Sequence, residues 1–108
     1  MKQDDILATI LWHATPFRGD KFEDAWRPAA AAALDYGASW WALLRSMDDP
    51  LDFTQMAVFE SKHAFERYWF AEEIADARAA AHGFYEVPVL PVFFRVTGVG
   101  EIEPSGIA

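Results

Sequence analysis

The chain has three histidines and six arginines, and these carry most of the chemistry open to its 108 residues. His13 closes the run ILATILWHAT, residues 6–15. An imidazole with an ordinary pKa near 6.5 can take or give a proton close to neutral pH. The plainer reading is a hydrogen-bonded histidine at a strand end. Arg45, in ASWWALLRS, and Arg95, in VFFRVT, can hold a carboxylate, an enolate or a developing oxyanion. The plainer reading of both is an ion pair with Glu60 or with an aspartate of the turn MDDPLD. Trp41, Phe59 and Phe93, with Gln55 and Trp69 near them, can form a flat slot for an aromatic ligand. Equally, these rings can be the core of an interface or of the fold. Glu60 and His63 form an E-x-x-H pair, but carboxylate-bridged metal sites use two such motifs and only one is present. His63 reads as solvated and no metal site is expected. Nor is there a glycine-rich phosphate loop or a specific Ser-His-Asp set.

Composition limits what such groups serve. A net charge of −8 repels phosphate backbones and anionic lipids, so neither nucleic acid nor membrane is an expected partner. The absence of cysteine removes disulfides, thiolate catalysis and Cys-ligated metals. No run approaches the roughly 20 apolar residues of a bilayer span, and no signal peptide is visible, so a cytoplasmic protein is expected. Hydrophobic residues make up 53% and aromatic residues 16%, more than the core of one small domain readily absorbs.

The elements that must position the candidate residues follow from pattern. Ile6–Thr15 reads as a first strand, apolar on both faces. Asp20 with Glu23 resembles a capping box, opening a helix with Phe22, Trp26, Ala30, Ala33 and Leu34 at helical spacing. Pro28 predicts a kink or a fresh start, and Gly37 a stop. Strands follow over Ser39–Ser46 and Thr54–Glu60. Ser61 caps a second helix through HAFERYW, which bends or restarts before Ala81 and ends at Gly83. The last strand runs from about Pro91 to Thr97, at an edge because of its flanking prolines. The order β-α-β-β-α-β predicts an α+β, ferredoxin-like fold: two helices on one face of a four-stranded antiparallel sheet. One domain over residues 1–108 is expected, its core about 5–98 and its tail 99–108 irregular.

Neighbouring tryptophans on a strand point to opposite faces. Each strand has one nearly uniform apolar side, exemplified by Trp40, Ala42 and Leu44. The other side mixes apolar groups with a few polar ones, as in Trp41, Leu43 and Arg45. The uniform sides are expected on the helices, with Trp40 in the core. The mixed sides, with Leu7, Leu11, His13, Trp41, Gln55, Phe59 and Phe93, are expected on the open face. So large an apolar face predicts a homodimer, sheet against sheet, or a small hydrophobic or aromatic ligand.

Phe59, Glu60, Ser61, Ala64 and Phe65, within VFESKHAFERYW, carry a resemblance to a known family. This junction of strand and helix resembles that of the dimeric α+β barrel superfamily, in its antibiotic-biosynthesis-monooxygenase-like group. The resemblance implies a homodimer. It also implies activities that include cofactor-free oxygenation of aromatic polyketide-like substrates, isomerisation and haem degradation. The cofactor-free enzymes often have tryptophan where Phe59 stands. The haem-degrading branch would nominate His82 as a ligand, but the spacing from Tyr68 is longer here and the first strand lacks a matching asparagine. The expectation is a small cofactor-independent oxygenase or isomerase acting on an aromatic or lactone-like molecule. In it His13 moves the proton, Arg45 or Arg95 holds negative charge, and Trp41 and Trp69 shape the slot. The alternatives are a non-catalytic ligand-binding or structural homodimer, and a haem-binding or haem-degrading protein using His82.

Overall fold

The computed structural model describes residues 1–101. The last seven residues of the expected tail lie outside the described range. Four strands form an antiparallel sheet: β1 (Ile6–His13), β2 (Trp40–Arg45), β3 (Asp52–Phe59) and β4 (Val92–Arg95). Their spatial order is β2-β3-β1-β4, which is the ferredoxin-like order. Helices α1 (Gly19–Ala31), α2 (Lys62–Trp69) and α3 (Glu72–Ala80) cross one face. The expected α+β architecture is present, with the second helix split in two.

Local chemistry explains the helix ends. Ser61 caps α2, its Oγ accepting the N–H of Ala64 at 3.1 Å. Asp20, expected as a cap, instead lies in the first turn of α1 and turns its carboxylate to Arg45. The helix continues through Pro28 without restarting. Pro28 is on the exposed side, where water can satisfy the carbonyl that loses its donor. At Ala32 the chain tightens into a 3-10 helix ending at Tyr36, closed by Gly37 at φ 99°. Tightening rotates successive side chains further apart, so Ala33 is buried but Leu34 faces solvent. Similarly, Phe70 terminates α2 with its ring exposed, and Ile74 on α3 is buried.

The register decides which side of each strand the helices cover. Ala8 lies opposite Ala57 and Phe93, and Ala57 lies opposite Trp41. These share the helix-covered face with Ile10, Trp12, Phe53, Gln55 and Phe59, all buried. The open face carries Leu11 (67% exposed), Phe94 (53%), Leu44 (49%), Val92 and Trp40 (39%), with Thr9 and His13 between or beside them. The expectation for β1 is met. For β2, β3 and β4 it is reversed: Trp41 packs toward the core and Trp40 lies on the open face. The reason is the fate of the polar markers. As polar groups Gln55 and Arg45 are expected to point away from the helices, yet both find partners on the helix side.

Candidate functional site

The pairing of β1 with β3 ends with His13 directly opposite Asp52. Their side chains meet: Nδ1–H of His13 donates to Oδ1 of Asp52. An ionised carboxylate only accepts, so this bond fixes the proton on Nδ1 and leaves the Nε2 lone pair of the neutral ring available. The hydrogen bond to Asp52 raises the His13 pKa above 6.5; burial opposes it, and the charges of Asp52, Glu86 and Asp49 add to the rise. The pair sits at the rim of a hollow of about 280 Å³, walled by Leu11, Trp12, Phe53 and Thr54. The imidazole is about half exposed, so a ligand can reach it. A base held in one tautomer beside an apolar wall can deprotonate a bound molecule.

The other two expected catalytic residues do not join it. Arg45 points to the helix side and clamps the β2–β3 turn to α1. Its Nε donates to the Pro50 carbonyl at 2.7 Å, and its Nη1 donates to Asp20 at 2.8 Å and Glu23 at 3.2 Å. Its guanidinium also lies over the Phe53 ring. The fit is close: a Cβ on Gly19 would stand 2.5 Å from the guanidinium. Arg95 is opposite Ile6, seven residues along β1 from His13, or about 23 Å at strand rise. Its nearest acid is Asp4 at 3.9 Å. His82 is exposed after α3, its ring edge-on to Tyr85.

Gln55 is the centre of a second constellation, inside the fold. Its Oε1 accepts the indole N–H of Trp26 at 2.8 Å and of Trp12 at 3.1 Å. Its Nε2 donates to the Tyr68 hydroxyl at 3.0 Å, which donates to the Ala29 carbonyl at 2.8 Å. Burial pushes the Tyr68 pKa up to about 12, so the phenol stays neutral and remains a donor. Aromatic rings surround the network: Trp12 is 4.7 Å from Trp26 and 6.1 Å from Trp69, centroid to centroid. Phe59 packs on Phe65, which also meets Phe93 at 5.1 Å. Arg78 lies over Trp69. Trp41, Gln55, Phe59 and Phe93 do share one side of the sheet, as expected, and Trp69 of α2 packs on that same side. That side is the helix-covered interior, and His13 is on the other.

Several groups escaped the sequence reading. In the sequence Asp52 and Asp49 are only acids for an arginine, because nothing in MDDPLD says which aspartate lands opposite His13. Trp12, Trp26 and Tyr68 read as core, and their shared acceptor was visible only as a glutamine on an apolar strand.

No family model and no curated protein matches the chain. Solved structures do match its fold. An antibiotic-biosynthesis-monooxygenase-like protein of Nitrosomonas europaea superposes with a TM-score of 0.79 at 15% identity, covering 91% of this chain and 98% of that one. SnoaB, a cofactor-independent oxygenase from Streptomyces nogalater, gives 0.75 at 18%, covering 89% and 96%. A further monooxygenase-like protein from Caulobacter crescentus gives 0.76 at 16%, covering 89% and 92%.

Proposed function

The chain has the fold of the antibiotic-biosynthesis-monooxygenase-like proteins of the dimeric α+β barrel superfamily, and from that premise we propose a cofactor-independent monooxygenase-like enzyme for a small aromatic or lactone-like molecule. The observation that carries this reading is the His13–Asp52 pair at the rim of an apolar hollow. The substrate lies against Leu11 and Thr54 and presents an acidic O–H or activated C–H to Nε2 of His13. Asp52 holds the ring and stabilises the imidazolium as the proton arrives. The anion left behind is the electron donor that dioxygen requires. An activated CH2 becomes a carbonyl, one oxygen atom staying in the product and the other leaving as water with both hydrogens. Without oxygen, return of the proton to another carbon is an isomerisation.

The working form is a homodimer through the open face. Leu11, Leu44, Val92 and Phe94 are roughly half exposed or more there, a patch that a second copy related by a two-fold axis would cover. His13 and Asp52 lie at its end, where an occluding subunit would exclude water from the hollow.

The test uses a tricyclic ketone with an activated CH2, such as anthrone. The expected result is oxygen uptake of one O2 per carbonyl formed, falling at least a hundredfold in His13→Ala. Deuterium exchange at the activated carbon in D2O reads the proton step alone. Activity unchanged in His13→Ala and Asp52→Asn would overturn the assignment.

A second reading, a non-catalytic structural homodimer, is favoured by one observation: Trp12, Trp26, Phe22, Tyr68 and Gln55 fill the space between sheet and helices. It predicts a stable dimer with neither oxygen uptake nor exchange across a panel of phenols, anthrones and lactones.

A further inference from the structure

We propose that His13, Asp49 and Asp52 bind a divalent first-row transition-metal ion. One ligand atom from each lies within 4.8 Å of the other two. Around an ion bonded at about 2.1 Å, neighbouring ligand atoms stand about 3.0–3.4 Å apart. On coordination the His13 Nδ1–H···Asp52 hydrogen bond is given up, the ion taking the proton's place between the two groups, and rotation of partly exposed side chains brings Asp49 to it. The backbone already aims them. His13 and Asp52 face each other in the β1–β3 register. Asp49 is fixed in the turn: its N–H donates to Ser46 Oγ at 3.0 Å and its Oδ1 accepts from the Leu51 N–H at 3.0 Å. Its second carboxylate oxygen is left for an ion.

The charge balance points the same way. Among the described residues, neither Asp49 nor Asp52 is ion-paired to a lysine or arginine. Arg45, on the same turn, is committed to Pro50, Asp20 and Glu23. Glu86 adds a third carboxylate, its N–H donating to the His13 carbonyl at 2.8 Å and its charge acting on the imidazole. Three negative charges thus gather around one imidazole. One nitrogen and two or three carboxylate oxygens suit zinc, manganese, iron(II), cobalt or nickel. Calcium and magnesium prefer shells of oxygen alone. The adjoining hollow leaves room for the water or small anion that completes the shell. Among the described residues, the E-x-x-H pair, Glu60 and His63, forms no such three-residue group.

This site stands whether or not the chain turns over a substrate. If it does, an ion on Nδ1 of His13 moves the neutral ring's proton to Nε2, which then has no lone pair to accept the substrate's proton, and inhibits.

The test titrates chelator-stripped protein with ZnCl2 by calorimetry and with CoCl2 by visible absorption. One ion per chain is expected. His13→Gln, Asp49→Asn and Asp52→Asn should each weaken binding at least tenfold with circular dichroism unchanged, while His63→Ala and His82→Ala bind as wild type. Nitrogen-resolved NMR of the wild-type histidines should show zinc shifting the His13 ring alone, a readout that survives if a variant fails to fold. Absence of binding up to millimolar zinc overturns the proposal. So does binding that survives His13→Gln, or that perturbs His63 or His82 instead.

Discussion

The two faces of the sheet treat polar groups in opposite ways. On the helix-covered face, Gln55 is fully buried and every polar atom of its amide is engaged by Trp12, Trp26 or Tyr68. A buried amide without partners would cost several kcal/mol, so the network is a condition of the fold. On the open face, His13 and Asp52 satisfy each other yet keep Nε2 and carboxylate lone pairs turned outward. Groups fully spent on internal bonds have nothing left for chemistry. Groups half spent, beside a hollow, do.

Perturbing each face should sharpen this contrast. The largest effect is expected from Gln55→Leu, which strands two indole N–H groups and takes one donor from the Tyr68 hydroxyl, whose own bond to the Ala29 carbonyl remains. At about 1–3 kcal/mol per orphaned group, partly relieved by relaxation, the loss should be about 3 kcal/mol or more in urea unfolding. A cost below about 1 kcal/mol would mean that the network is not structural. Next, Leu11→Lys with Phe94→Lys should leave the monomer folded but weaken the dimer by about 2 kcal/mol, roughly thirtyfold in dissociation constant by light scattering. A wild-type protein that is monomeric at micromolar concentration would remove the partner from the open face. Arg45→Ala should cost about 1 kcal/mol, small because its ion pairs are solvent-screened, and should leave any turnover through His13 intact. Loss of turnover with stability preserved would return Arg45 to the site.

The smallest effect concerns pH. Because His13 is raised by Asp52, its protonated form is the one favoured by folding. Its stabilising contribution is fully present below the unfolded pKa near 6.5 and fades as pH rises through the higher folded value. In chelator, Asp52→Asn should abolish that dependence. Proton transfer runs the other way: catalysis by the neutral ring should rise with pH through the same folded value. A wild-type profile that rises at or below pH 6.5 would break the proposed link between Asp52 and His13.

Much of the fold was readable from local signals. Ser61 announced α2, Gly37 closed the first helical segment, and the prolines around β4 kept it at the edge. The site was readable as single residues only. His13 stood out by type, and its partner Asp52 did not, since it is one of three aspartates in MDDPLD. Gln55 and Phe59 share a face by alternation along one strand, a local property; that Trp41 and Phe93 join them depends on the register with the neighbouring strands. The face that the helices cover runs against the sequence pattern on three strands of four.

The sequence by itself determined the order of elements, the acidic surface, and a sheet apolar on both sides. It also determined that Trp40 and Trp41 must face opposite ways, since adjacent side chains on a strand always do. Only the tertiary structure decided which indole is inside. With both sides apolar, burial gives no strong preference, and a one-residue shift of register exchanges the faces. Gln55 and Arg45 broke the tie by what they met under the helices: two indoles and a phenol for one, the acids of α1 for the other. That choice placed Trp41 in the interior and left His13 with Asp52 at the end of the open face.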